Sequence, residues 1–159
     1  MGKIVFLMVE EDEYRSTYQN INQRRCVFEK AILTRRCSCL CSARFYLADR
    51  EGIACDSATA HDRCGHFITL LRENARFVLK ITVLDGELPH AKEIKVQNGG
   101  LLGLQHTLHP ELGGDKVIDV AGLTALGEQA YGSLEQIPYQ ELVKSIAGFE
   151  GRRRPHSKR

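Results

Sequence analysis

Apolar positions along the chain recur mainly at helical spacing. The clearest pattern predicts a long amphipathic helix that begins at Asp56 or Ser57, both suitable N-cap residues, and ends near Lys80. Its apolar side chains lie three and four residues apart, at Phe67, Leu70, Leu71, Ala75, Val78 and Leu79. A partial pattern of the same period predicts a second helix over about 17–36, which apolar residues at 43–48 continue.

Two further helices are predicted in the second half of the chain. One begins at 119–120 and ends near Gly132. The last begins at Pro138, a residue suited to the first turn of a helix, and ends near Phe149.

The stretch between these helices carries the signals of turns and short strands. Short apolar runs around a turn predict a small hairpin over 81–96, and the glycines of 98–103 predict another turn. We therefore expect a mainly α, small single-domain helical fold over 1–151 that allows a short β-hairpin. A basic disordered tail is expected at 152–159.

Charge is segregated along the 159 residues, although the formal net charge is only +2. Residues 24–80 carry 11 basic and 6 acidic groups, net +5, whereas residues 81–151 carry 4 and 10, net −6. Such asymmetry bears on partners more than on fold. An acidic or redox protein, or a nucleic acid bound through the arginines and the basic tail, is the kind of partner it favours.

All six cysteines lie within the 39 residues from 26 to 64, inside the basic block. No apolar run approaches the roughly 20 residues of a membrane span, and no signal peptide is recognisable, so we expect a cytoplasmic protein with no membrane association. The cytoplasm keeps thiols reduced, which argues against a disulfide framework. Clustering of this kind indicates a metal or redox site.

Helix geometry selects four of these cysteines. Cys37 and Cys41 are four residues apart and share a face if their stretch is helical. Cys55 lies just before the predicted cap of the long helix, which lets it converge with Cys64. The predicted metal ligands are Cys37, Cys41, Cys55 and Cys64. Cys39 is the alternative ligand, and Cys26 is expected to be a core residue.

The ligand type and spacing favour an iron–sulfur cluster, with [4Fe–4S] as the expected form. Thiolates are soft ligands that suit such clusters and zinc. A structural zinc site usually uses two knuckles of closely spaced cysteines, whereas Cys55 and Cys64 are nine positions apart. Neighbouring arginines would balance the negative charge of four thiolates. The predicted function is therefore electron transfer or redox sensing, with the cysteine site held between helices.

Four alternatives stay open. A zinc ion could hold together a module that binds nucleic acid through the arginines and the basic tail. A cluster or reactive thiols could serve an enzyme, although the chain contains no nucleophile-elbow or zinc-protease motif. The cysteines could also be ordinary core residues, or metal-free redox sensors whose pKa is lowered by neighbouring arginines.

Overall fold

Helices dominate the protein, as the sequence pattern predicts. The computed structural model describes residue 13 and residues 15–18, 22–82 and 88–151. Within these residues it contains six α-helices and one two-stranded antiparallel hairpin. The elements are α1 (Glu29–Leu33), β1 (Ser42–Leu47), β2 (Arg50–Cys55), α2 (Ala58–Ala75), α3 (His90–Ile94), α4 (Gly100–Leu108), α5 (Val120–Tyr131) and α6 (Tyr139–Gly148). The predicted tail at 152–159 lies outside the described residues.

The long helix α2 begins where its cap predicts. Ser57 is extended, and its hydroxyl accepts a hydrogen bond from the Ala60 backbone N–H at 3.2 Å. One face of α2 is buried in the core and includes Phe67 and Leu71. The regular helix ends at Ala75 rather than near Lys80.

The hairpin lies at β1–β2, where a continuing helix was predicted over 43–48, and that prediction is wrong. A two-residue loop joins the strands, and both of its residues, Ala48 and Asp49, have a positive φ, as a type I′ turn requires. The ring of Phe45 packs on the backbone of Gly52. A Cβ at this position would stand 2.4 Å from that ring, so with the ring in this place only glycine fits. Pairing of the two adjacent strands therefore overrides the weak helical period.

The same pairing shortens the helix predicted over 17–36. The Cys26 N–H donates to the Ile53 carbonyl at 3.0 Å, and the Cys55 N–H donates to the Arg24 carbonyl at 2.9 Å. These bonds tie 24–26 alongside β2, so that its backbone groups are not available to a helix. Among the described residues of this stretch after 18, only Glu29–Leu33 is α-helical.

Residues 90–108 are helical, where part of a hairpin was predicted over 81–96 and a turn over 98–103. They form α3, a π-helical turn at Lys95–Gly99, and α4. The turn of the predicted hairpin, at 85–86, lies outside the described residues, but its second strand, at 94–96, is helical, so the hairpin prediction is wrong. The turn prediction is wrong because its glycines serve a helix–helix contact rather than a change of chain direction: a Cβ on Gly99 would lie 2.5 Å from the Cα of Ile146 in α6.

The two C-terminal helices confirm their predictions. Helix α5 ends at Gly132, which adopts the left-handed conformation of a helix C-cap, and α6 follows Pro138 directly. Helices α2, α4 and α6 form the centre of the core, where the ring of Phe67 makes edge contacts with Phe28 and Tyr139. No helix in the described part of the chain is long and apolar enough to cross a membrane.

Candidate metal centre

Five of the six cysteines surround one small cavity beside the hairpin. Its lining cysteines are Cys26, Cys39, Cys41, Cys55 and Cys64. The rest of its wall is built mainly from small apolar side chains, with His61 and Ser42 at the edge. The cavity measures about 10 Å³, which is room for a single water-sized sphere. Thiols from well-separated positions in the chain therefore lie around one cavity.

Strand pairing and a helix start bring three of these thiols together. Cys26 follows the segment that pairs with β2, and Cys55 is the last residue of that strand. Cys64 lies on the buried face of α2, seven residues after the cap at Ser57. As predicted, Cys55 precedes the helix, and its thiol donates to the Ser57 carbonyl at 3.3 Å.

Cys39 is positioned by a second pairing, between its own segment and the start of α5. The Ser38 N–H donates to the Val117 carbonyl at 2.9 Å, and the Val120 N–H donates to the Ser38 carbonyl at 3.0 Å. The Ala121 N–H, in the first turn of α5, then donates to the sulfur of Cys39 at 3.4 Å. An N–H directed at a sulfur, together with the positive end of a helix, favours a thiolate.

Burial keeps the protons on the deepest thiols of the cavity. Burial, with a smaller contribution from neighbouring cysteines, raises the pKa of Cys26 and of Cys64 to about 12. Burial also raises the pKa of Cys39, although backbone N–H groups of Cys41 and Ala121 act in the opposite direction. The arginine-lowered pKa of a metal-free sensor is therefore absent from these three thiols.

Cys41 lies at the edge of the group. Its pKa is raised by burial and by the carboxylates of Asp56 and Asp119, with Cys55 nearby. The pKa of Cys26 responds to Cys39, Cys55 and Cys64, whereas Cys41 interacts with Cys39 and Cys55 and is less buried than Cys26, Cys39 and Cys64. We call Cys26, Cys39, Cys55 and Cys64 the four-thiol set.

Cys37 lies apart from the cavity. It is 4% exposed and pairs with Val117 in an isolated parallel β-bridge. Its thiol donates to Oδ1 of Asn98 at 3.6 Å. The stretch from Cys37 to Cys41 is not helical, so the helical spacing that paired these two residues does not apply. Of the four predicted ligands, Cys41, Cys55 and Cys64 line the cavity, together with the alternative Cys39. The set of four predicted ligands, Cys37, Cys41, Cys55 and Cys64, remains a prediction.

Cys26 is the cavity residue that the sequence interpretation assigned to the core. It has no cysteine within ten positions, and only the pairing of its segment with β2 brings it to the others. No spacing rule signals such a residue.

The thiols surround the cavity without converging on one ion. Among the described residues, no three or more histidine, cysteine or carboxylate side chains stand close enough together to hold a single metal ion. The ligands of a cluster bind different iron atoms and so stand farther apart than those of one zinc ion.

Most arginines of the basic block are paired with carboxylates of the chain. Arg63 lies 3.2 Å from Glu128, and both Arg35 and Arg44 reach Glu51. Arg63 is also the cation that acts on Cys64, where it opposes the rise in pKa. Searches against family models, curated proteins and solved structures found no match to this chain.

Proposed function

We propose that the protein binds an iron–sulfur cluster, [4Fe–4S] in its expected form, through the four-thiol set of Cys26, Cys39, Cys55 and Cys64. The observation that carries the proposal is the meeting of these four thiols around one apolar cavity. Four cysteine ligands complete the coordination of such a cluster, and apolar walls with N–H···S bonds tune its potential. In this proposal Cys41 takes the place of alternative ligand that the sequence prediction gave to Cys39, and Cys37 is not a ligand.

Electron transfer or redox sensing is the role that fits this position. Cys39, Cys41 and Cys55 are each half-buried, so a cluster here lies close to the surface, within reach of a redox partner or an oxidant. All six cysteines are free, and we assign the protein to the cytoplasm, where thiols stay reduced. Loading requires the cysteine segments to move apart, because the cavity is smaller than a cluster.

A structural zinc ion is the second candidate. A space of about 10 Å³ matches one ion better than a cluster. The thiols would have to move together to make a closed four-thiolate zinc site, because no three ligand side chains of the described residues stand close enough to hold one ion. The predicted nucleic-acid role of the arginines would then rest on the basic tail, because much of the basic block is paired internally.

A thiol-dependent enzyme receives less support. The raised pKa of Cys26 and Cys64 makes them poor nucleophiles at neutral pH. The cavity between the cysteines also leaves no room for a substrate.

Anaerobic purification tests the proposal. We expect a brown protein with iron and acid-labile sulfide in equal amounts, and a Mössbauer spectrum that identifies the cluster. Each of Cys26→Ser, Cys39→Ser, Cys55→Ser and Cys64→Ser should lose most of the iron, because a ligand is removed. Cys37→Ser is the matched control: it is a buried cysteine outside the cavity, and it should keep its iron.

The metal content decides between the candidates. A colourless protein with one zinc ion per chain would replace the cluster with the zinc site. Iron that survives Cys26→Ser and Cys64→Ser but is lost in Cys37→Ser would overturn the four-thiol set.

A further inference from the structure

A second cavity lies on the other side of the segment that carries Cys37. It measures about 720 Å³ and lies between the end of α1, helix α3 and the end of α6. Small-molecule sites typically measure roughly 300–1,000 Å³. The cavity is therefore large enough for a small organic ligand.

The ionisable residues that line this cavity are two arginines and a histidine: Arg35, Arg36 and His90. No carboxylate is among its described lining residues. Arg35 pairs with Glu51 at 3.3 Å. Arg36 forms no ion pair with any carboxylate in the described part of the chain, so its charge is available to an anion.

Arg36 is held in place without that pairing. Its guanidinium carbon stands 5.0 Å from the ring centre of Phe149, and one Nη donates to the Gly151 carbonyl at 2.7 Å. A fixed guanidinium loses little freedom when it binds an oxyanion, and it can donate two parallel hydrogen bonds.

A buried amide and an apolar wall complete the site. Asn98 is fully buried in the π-helical turn, and its Nδ2 donates one hydrogen to the Ile94 carbonyl and carries a second. Such turns occur frequently at functional sites. The side chains of Leu33, Ile94 and Phe149 form the apolar part of the wall.

We propose that this cavity binds a small organic anion whose phosphate or carboxylate pairs with Arg36 and whose apolar part lies against Leu33 and Ile94. The inference does not depend on the metal centre, because no residue of the four-thiol set lines this cavity.

Isothermal titration of the full chain with phenyl phosphate and with benzoate tests the inference, with inorganic phosphate and phenol as comparison probes. We expect both aryl anions to bind, and each comparison probe to bind at least about tenfold more weakly, since each lacks half of the recognised chemistry. The stronger of the two aryl anions identifies the preferred oxyanion.

Variants locate the site. Arg36→Gln should weaken aryl-anion binding about tenfold or more, and His90→Gln, an exposed change that leaves the core intact, should weaken it severalfold. Arg76→Gln removes an exposed arginine elsewhere and should change nothing, as should replacement of Arg152, Arg153 and Arg154 with alanine.

Three results would overturn the inference. The first is an absence of aryl-anion binding to the wild-type protein. The second is equal affinity for inorganic and phenyl phosphate, which would leave no role for the apolar wall. The third is binding that survives both Arg36→Gln and His90→Gln, or that is lost with the tail arginines.

Discussion

Glu93 is fully buried and yet forms an ion pair. Its carboxylate lies 2.5 Å from Nη2 of Arg72, and it accepts further bonds from the Leu88 N–H and from Gln97. Gln97 in turn accepts a hydrogen bond from the Ala31 N–H at 2.9 Å, which links α1 to the π-helical turn. One carboxylate therefore joins three parts of the core.

Glu93→Ala should destabilise the protein by about 3–5 kcal/mol, because it leaves the guanidinium of Arg72 largely buried without a counter-charge. Urea denaturation measures the change. Lys144→Ala, which removes the exposed pair with Glu141, should change stability by no more than about 0.5 kcal/mol. Equal effects of the two substitutions would contradict the assigned importance of burial.

Cys26 and Cys37 show how far residue-level prediction reaches. The presence of a thiol-rich region could be predicted from the clustering alone, since five cysteines fall within 28 residues. The identity of the thiols that line the cavity could not be predicted. Cys26 lies there because its segment pairs with a strand about 28 residues away, and the thiol of Cys37 donates to Asn98 instead. Sequence spacing describes neighbours within one helix, whereas these contacts are made between segments.

At the scale of elements, the contact between α4 and α6 depends on glycine. A Cβ on Gly99 would lie 2.5 Å from the Cα of Ile146, and one on Gly103 would lie 3.0 Å from the Cα of Leu142. Backbone atoms cannot swing away as a side-chain end can, so the two helices themselves would have to separate.

Gly99→Ala should therefore destabilise the protein by about 1–3 kcal/mol, the range typical of overpacking. Gly65→Ala is the matched control: it lies in α2, nothing stands within 4 Å of the point that its new methyl group would occupy, and helix propensity should raise stability by about 0.5–1 kcal/mol. The melting temperature should fall below that of the wild type for Gly99→Ala and rise above it for Gly65→Ala. A stabilised Gly99→Ala protein would show that the helices are not in close contact.

The start of α6 is secured by Tyr139, whose buried hydroxyl donates to the Leu134 carbonyl at 2.6 Å. Burial raises the pKa of Tyr139 above its ordinary value. Below about pH 10 the tyrosine is neutral in both the folded and the unfolded chain, and its hydrogen bond contributes fully to the free energy of unfolding. Above that pH the unfolded chain loses the proton while the folded chain keeps it, so stability falls.

Tyr139→Phe should lower stability by about 0.5–1.5 kcal/mol at neutral pH, since one hydrogen bond is lost while the Leu134 carbonyl keeps the Ile137 N–H at 3.4 Å. The same variant should lose less stability than the wild type between about pH 8 and about pH 11, because the titrating group is gone. Urea midpoints at the two pH values measure both effects. Parallel pH profiles for the two proteins would rule out Tyr139 as the source of the alkaline loss.

At the scale of the whole molecule, the proposed centre lies on the hairpin side of the core, to which Cys64 belongs and against which Cys26 and Cys39 pack. The four-thiol set lies among the hairpin, the segment before it and the first turns of α2 and α5, whereas α4 and α6 pack against the rest of α2. A cluster would thus cross-link the hairpin side of the protein and leave the helical core to its own packing.

Removal of the metal from the loaded protein should therefore speed amide hydrogen exchange in β1, β2 and 37–41, and leave α4 and α6 protected. Far-UV circular dichroism should change little, because most helices do not contact the centre. Loss of all helical signal on metal removal would show instead that the whole fold depends on the metal.

The sequence by itself determined the elements that depend on local signals. These are the capped start of α2, the helices α5 and α6 with their proline and glycine boundaries, and the confinement of the thiols to one basic region. Tertiary structure alone decided the β1–β2 hairpin, the helical path through 90–108 and the identity of the four thiols that meet. The helical path and the meeting of the thiols arise from contacts between distant segments, and the hairpin from a tight turn of residues with weak turn signals. Neither periodicity nor spacing along the chain records such contacts.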